Sequence, residues 1–287
     1  MAMSTETKTI RKLTVPEFRA RKGGEPLVVL TAYSAPVAAH LAPHVDALLV
    51  GDSLGMVLYG MDSTLPVTLD IMIAHTRAVR RGAPGTLVIT DLPFGSYQVS
   101  SQQAFETSAR VLAEGGADAV KLEGGVEMAE TIAFLSERGV PVMGHVGLMP
   151  QRIAQMGSFR AQGRDAEAAA RIMVDAQEVA RAGAFSVVVE GVLEPVAVAV
   201  TRAIDIPTIG IGASPACDGQ VLVSDDLFGL FDRFTPKFVR RYAEIGAEIG
   251  LAAEKFAADV RARSFPSERE CFAAPKAVTP PAKNRAS

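Results

Sequence analysis

The sequence predicts an α/β chain folded as a closed (β/α)8 TIM barrel, with an added N-terminal helix and C-terminal helices. Three observations predict it. Short apolar runs alternate with helix-period patterns about eight times between residues 27 and 263, which calls for parallel strands joined by helical crossovers. Several runs end in a charged or polar residue next to glycine or proline, and the C-terminal strand ends of a barrel are where chemistry gathers. No break in composition divides the chain into halves. The alternation alone also allows an open doubly wound sheet, but the count of strands favours closure.

The elements follow in order. Thr14-Val15-Pro16-Glu17 supplies an N-cap and an early proline for a short helix. Leu27 to Thr31 is the first strand, followed by a helix around Ala35 to Leu41. Ala47 to Val50 is the second strand and runs into Gly51-Asp52-Ser53. A helix over about Leu69 to Arg81 carries Ile71, Ala74 and Ala78 on one face. The third strand, Leu87 to Thr90, ends in Asp91-Leu92-Pro93-Phe94. A helix from about Ser101 to Ala113 stops at Gly115-Gly116. Ala119 to Glu123 is the fourth strand, and after a helix ending at Gly139 a fifth begins at Val140 and reaches His145. The helix near Ala166 to Ala182 stops at Gly183, and strand six, Phe185 to Val189, ends in Glu190-Gly191. A helix over Glu194 to Ile204 leads to strand seven, Ile206 to Gly212. Val221-Leu222-Val223 is the weakest strand, and helices are expected from Pro236 to about Arg263. One catalytic domain is therefore expected over residues 10–272, with 1–9 and 273–287 as loose polar or Ala/Pro/Lys-rich ends.

Composition removes several function classes. The 287 residues are 48% hydrophobic, enough for a sizeable core. A formal charge of −3, from 29 basic and 32 acidic residues without long single-sign runs, argues against nucleic acid or a membrane surface as partner. Cys217 and Cys271 make no disulfide framework, so a reducing cytoplasm is expected. No apolar run reaches the length of a membrane span. Cys217, in a Ser/Pro/Gly-rich segment, reads as a free thiol in an exposed loop. Gly210-Ile211-Gly212-Ala213 lacks the spacing and the acidic partner of a dinucleotide motif.

Six residues at the strand ends carry the candidate chemistry. Asp52 and Asp91 close neighbouring strands, and two adjacent carboxylates repel unless a cation or proton lies between them. Either alone reads more readily as a turn or helix cap; the paired placement reverses that. Oxygen ligands point to Mg2+, completed by water and substrate. Lys121 and Glu123 share one strand face, as a ligand-binding couple or a mutual ion pair. His145 suits a hydrogen bond to substrate or proton transfer, although a lone histidine is as often structural. Glu190 emerges from Val187-Val188-Val189, which suits a general acid or base as well as a helix cap. His40, His44 and His75 lie in or beside helices and read as structural.

These segments resemble one family, the ketopantoate hydroxymethyltransferases. The likeness runs from about Thr14 to Phe272 through VGDSLGM (from Val50), DSTLPVT (from Asp62), HTRAVRRGAP (from His75), DLPF (from Asp91), VKLEGG (from Val120), GHVGLMPQ (from Gly144), IGIGA (from Ile209) and DGQVLV (from Asp218). The resemblance implies a barrel of the phosphoenolpyruvate mutase/isocitrate lyase type, Mg2+ dependence and a decameric assembly. It implies transfer of a hydroxymethyl unit from 5,10-methylenetetrahydrofolate to 3-methyl-2-oxobutanoate through a Mg-stabilised enolate. The product is 2-dehydropantoate, on the route to pantothenate and coenzyme A. By the same resemblance Asp52, Asp91 and Glu123 contact the metal, Ser53, Asp91, Lys121 and His145 hold the oxo acid, and Glu190 moves the proton. Two positions depart from the family pattern: Ser34 stands where an aspartate usually follows the tyrosine, and Ser214-Pro215 where a glycine usually follows the alanine. A Mg-dependent carbon–carbon lyase or mutase acting on a 2-oxo acid would use the same aspartate pair. A barrel that only binds a metabolite is disfavoured by the full set of acids and bases.

Overall fold

Eight parallel strands close into a barrel in strict chain order, each hydrogen-bonded to the next and the last to the first. They are β1 (Leu27–Thr31), β2 (Ala47–Val50), β3 (Leu87–Asp91), β4 (Ala119–Lys121), β5 (Val142–Gly147), β6 (Ser186–Glu190), β7 (Thr208–Ile211) and β8 (Gly219–Leu222). The computed structural model describes residues 12–158, 160–232 and 234–272, so the ends expected to be loose lie outside the described residues. The helices are α1 (Val15–Arg19), α2 (Ala35–Leu41), α3 (Leu54–Val57), α4 (Leu69–Gly82), α5 (Ser101–Arg110), α6 (Ala129–Glu137), α7 (Ile153–Met156), α8 (Ala166–Arg181), α9 (Glu194–Ala203), α10 (Ser224–Leu227) and α11 (Ile245–Arg261). Their starts follow side-chain chemistry. Thr68, Ser100 and Asp165 each accept a first-turn amide of α4, α5 and α8, and Thr14 forms a capping box with Glu17.

The two-residue period of the strands sorts the side chains. One set, including Val88, Val120, Val142 and Val187, packs outward against the helices. The other set fills the barrel, and along it apolar residues give way to polar ones toward the C-terminal end. Leu87 and Ile89 precede Asp91, Ala119 precedes Lys121, Met143 precedes His145, and Val188 precedes Glu190. The lower interior is closed by α1, whose Phe18 is fully buried and meets Phe185 edge-on with ring centroids 5.7 Å apart.

Two aspartates lock the lower rim. Asp118 accepts from Lys12, Arg80 and the amide of Val88, the last at 2.9 Å. Asp218 accepts from Lys22 Nζ and Gly23 N at 2.9 Å and from Thr208 N at 2.8 Å, tying the chain after α1 to β7. Burial alone would raise both carboxyls, but these donors outweigh it and hold them below the ordinary value of 3.8. A depressed folded-state value means that the stabilisation is complete above 3.8 and is lost as pH falls through the folded value. Asp218→Asn is therefore expected to cost about 2 kcal/mol at neutral pH. The gap from the parent chain should shrink below about pH 4, which urea unfolding at several pH values measures.

The structure departs from the sequence expectation in four places. The last turn before Gly116 is a wider π turn, Val111–Gly115, so α5 itself stops at Arg110. The eighth strand begins two residues earlier than expected and ends one earlier, because Gly219 pairs with Leu27 and Ile209. Residues 236–244 are not helical. Tyr242 N and Ile245 N donate instead to Leu227 O and Phe228 O at 2.8 and 2.9 Å, anchoring this stretch to the end of α10. Cys217 is buried rather than exposed, with Thr201 Oγ1 3.8 Å from its sulfur. α11 has no buried residue and exposes Ile249, Leu251, Phe256 and Val260. Among the described residues, no helix is long and apolar enough to cross a membrane.

Candidate active site

The C-terminal mouth of the barrel brings together all the residues singled out at the strand ends. Asp91 and Lys121 terminate β3 and β4 and are direct register partners, so their side chains emerge side by side. Lys121 Nζ lies 2.9 Å from Asp91 Oδ1. Asp52 follows β2, and its backbone amide donates to Asp91 Oδ2 at 3.1 Å. The turn between β2 and Asp52 is close-packed at Gly51, where a Cβ would lie 2.7 Å from Ser53 Oγ. Ser53 Oγ is 2.9 Å from the hydroxyl of Tyr33, which follows β1.

His145 is the hinge of the opposite wall. Its Nδ1 stands 3.5 Å from Glu123 Oε1 and 3.3 Å from Lys121 Nζ, and its Nε2 stands 3.3 Å from Glu190 Oε2. Gly147, at φ +96°, sits opposite Glu190 in the ladder, where a Cβ would meet Glu190 O at 2.5 Å. Asp52, Asp91, Lys121, Glu123 and His145 are all buried, and the Glu190 side chain keeps 16% exposure.

Burial this deep makes the charges interdependent. Desolvation, then the charges of Asp91 and Glu123, push the Asp52 carboxyl up to about 8. Burial and the Lys121 charge push His145 down, but Glu123 and Glu190 overcome both and carry it up to about 9. Lys121 pays the same desolvation cost and is nevertheless held above its ordinary value by Asp91, Glu123 and Asp52. Four carboxyl groups, with Asp52 the one whose negative charge is most opposed, thus face two basic groups.

That imbalance fits a divalent cation. The donor set is oxygen-rich, as hard cations require. Asp91 Oδ1 is buried and, although close to Lys121, has no well-formed hydrogen bond. Among the described residues no three His, Cys, Asp or Glu side chains converge as a ready-made cage. Mg2+ does not need one, since it takes one or two carboxylates and fills the remaining positions with water and substrate oxygens.

Sequence reasoning missed Gln151, Tyr97 and Tyr33. Gln151 is buried between β5 and α7, and its Nε2 donates to Asp52 Oδ2 at 2.8 Å. Tyr97 is buried in the loop after β3 and reaches Gln151 Oε1 at 2.7 Å. Burial holds the phenols of Tyr33 and Tyr97 well above their ordinary value, so both remain hydroxyl donors. His75 is structural, as expected, with Nδ1 2.6 Å from Tyr33 O and Nε2 2.9 Å from the Tyr59 hydroxyl. Ser34 begins α2 without a side-chain cap bond, and Ser214 Oγ donates to Glu194 at 3.1 Å.

A family model described as ketopantoate hydroxymethyltransferase matches residues 12–268. The chain belongs to this family. A protein of Rhodospirillum centenum named 3-methyl-2-oxobutanoate hydroxymethyltransferase is 62% identical over 267 residues, covering 93% of this chain and 97% of its own. A protein of the same name from Paramagnetospirillum magneticum is 61% identical, covering 96% and 100%. Among solved structures, 2,3-dimethylmalate lyase, a phosphoenolpyruvate mutase/isocitrate lyase superfamily member, aligns with TM-score 0.55 at 16% identity, covering 90% of this chain and 91% of its own. Phosphonopyruvate hydrolase, solved with oxalate and Mg2+, aligns with TM-score 0.56 at 15% identity, covering 90% and 93%. Identities this low speak for the fold alone, a closed barrel of eight parallel strands shared with this hydroxymethyltransferase family member.

Proposed function

We propose that the chain transfers a hydroxymethyl unit from 5,10-methylenetetrahydrofolate to 3-methyl-2-oxobutanoate, giving 2-dehydropantoate for pantothenate and coenzyme A synthesis. The observation that carries the reading is the buried mouth in which Asp52 and Asp91 adjoin Lys121, while His145 links Glu123 to Glu190. Asp52, Asp91 and Glu123 are the acids that would hold Mg2+, one or two of them directly and the remainder through bound water. When bound, the ion would supply Lewis acidity at the keto and carboxylate oxygens of the oxo acid and ease loss of the adjacent C–H proton.

The protein's own groups account for the rest. Ser53, Asp91, Lys121 and His145 orient the oxo acid. The Lys121 ammonium opposes the negative charge that develops on the keto oxygen. Glu190, partly exposed and beside His145, takes the C–H proton and passes it on to water. The folate methylene carbon is bonded to two nitrogens, so water adds to it and both C–N bonds break, their electron pairs leaving on nitrogen, which takes up protons. The enolate carbon forms the new C–C bond to the formaldehyde so released, and the carbonyl electron pair of the formaldehyde takes a proton to become the product hydroxyl.

Self-association belongs to the same proposal. The exposed apolar residues of α11 support a homo-oligomer, in which a second copy would cover them. The two free thiols, Cys217 and Cys271, support a reducing, cytoplasmic setting.

A coupled assay with both substrates tests the function. 2-Dehydropantoate is expected with Mg2+, and its formation should stop in EDTA and return when Mg2+ is restored. No product under any condition would turn the reading toward a carbon–carbon lyase or mutase on a 2-oxo acid.

A further inference from the structure

We infer that Gln151 is a positioning residue that sets two of the proposed metal-contacting acids at once, and that Tyr97 fixes its amide. This rests on the metal assignment proposed above. Gln151 lies in a single 3-10 turn, Pro150–Arg152, and is 3% exposed. Its side chain has two acceptors on one side and two donors on the other. Nε2 donates to Asp52 Oδ2 at 2.8 Å and to Leu92 O at 2.9 Å. Oε1 accepts from the Tyr97 hydroxyl at 2.7 Å and from Gln98 Nε2 at 3.2 Å. A flipped amide would set donor against donor on one side and acceptor against acceptor on the other, so these partners allow one orientation.

The backbone of the same residue completes the device. Gln151 N donates to Glu123 Oε2 at 3.1 Å, and Glu123 N donates to the Tyr97 hydroxyl at 3.1 Å. A closed circuit therefore runs from Glu123 through Tyr97 and Gln151 back to the Glu123 carboxylate, with a branch to Asp52. Asp52 and Glu123 come from different strands and repel one another. Gln151 holds both with N–H groups and adds no charge. The bond from Gln151 to Oδ2 fixes the plane of the Asp52 carboxylate and leaves it acceptor capacity for a cation. Partners that orient metal-binding carboxylates in this way are typically worth about 10–100-fold in metal affinity.

The test uses the full chain. Mg2+ binding is measured by calorimetry without substrates, and melting is measured in EDTA, where metal binding contributes nothing. Gln151→Met keeps the length and removes the side-chain donor and acceptor. It is expected to weaken Mg2+ binding about 10–100-fold, and saturating Mg2+ should restore much of the turnover. Gln151→Glu can still accept from Tyr97 but cannot donate to Asp52, so it should not rescue affinity. Tyr97→Phe should weaken binding less than Gln151→Met. Tyr97 acts in part through Gln151 and in part directly on the Glu123 backbone, so the double variant should lose less than the sum of the two single losses. Should Gln151→Met fail to fold, Tyr97→Phe and Gln151→Glu carry the decision. Unchanged Mg2+ affinity in the folded Gln151 variants, with binding lost in Asp91→Ala, would overturn the positioning role and leave the metal site standing. Unchanged affinity in Asp91→Ala as well would overturn both.

Discussion

Asp91→Ala is expected to abolish turnover while the barrel remains folded. Asp91 does three things in the mouth. It is a proposed metal ligand, its Oδ2 accepts the Asp52 amide at 3.1 Å, and its Oδ1 lies 2.9 Å from Lys121. Truncation removes all three, so kcat/KM should fall at least about 1,000-fold, or about 4 kcal/mol of transition-state stabilisation. Removing one partner of a buried ion pair can itself cost about 3–5 kcal/mol. Here Asp52 and Glu123 still surround Lys121, and the repulsion between Asp52 and Asp91 is relieved. The net loss of stability should therefore be smaller, about 2 kcal/mol. Near-UV circular dichroism and melting in EDTA check the fold. Asp91→Asn, which keeps the volume and an acceptor for the Asp52 amide, should lie closer to the parent chain in stability and remain inactive. Full activity in Asp91→Ala would sink the metal assignment.

Glu190→Gln is expected to lower turnover by about 100–10,000-fold, the usual range for a positioned general base. The proton step can be isolated by omitting the folate. In D2O with Mg2+, the parent chain should exchange the C3 proton of 3-methyl-2-oxobutanoate, seen as a fading NMR signal, and Glu190→Gln should not. Mg2+ affinity should be unchanged, because the Glu190 carboxylate pairs with His145 Nε2 at 3.3 Å and is not one of the acids proposed to hold the metal. Exchange at the parent rate would remove Glu190 from the proton path and leave His145 as the next group in line.

What could be read from the sequence was what the strand period fixes. Once Leu87 and Ile89 are placed inside the barrel, Asp91 must follow them, and the same holds for Lys121 above Ala119. The acids and bases of the mouth were therefore visible as a run of charges at strand ends. Gln151 was not visible. It is uncharged, sits in a short turn after a proline, and finds Asp52 across 99 positions of sequence, where no local pattern reports the contact. The GHVGLMPQ segment contains it, but nothing in that segment names its partner. Cys217 was misread because a Ser/Pro/Gly-rich segment normally lies outside, whereas here it folds back over Thr201 and Gly210. The stretch from Pro236 has helix-forming side chains, yet its backbone is tied to the end of α10, a tertiary bond that propensity does not see.

The helix that closes the lower barrel bears on the timing of the reaction. With Phe18 packed beneath a filled interior, substrates share the opening at the other end. The acids proposed to hold the oxo acid are buried at that same end. On the proposed reaction both substrates would enter and leave by one mouth, so initial rates with each substrate varied against the other are expected to show an ordered rather than a random pattern. A shared route thus follows from a phenylalanine at the far end of the barrel from the chemistry.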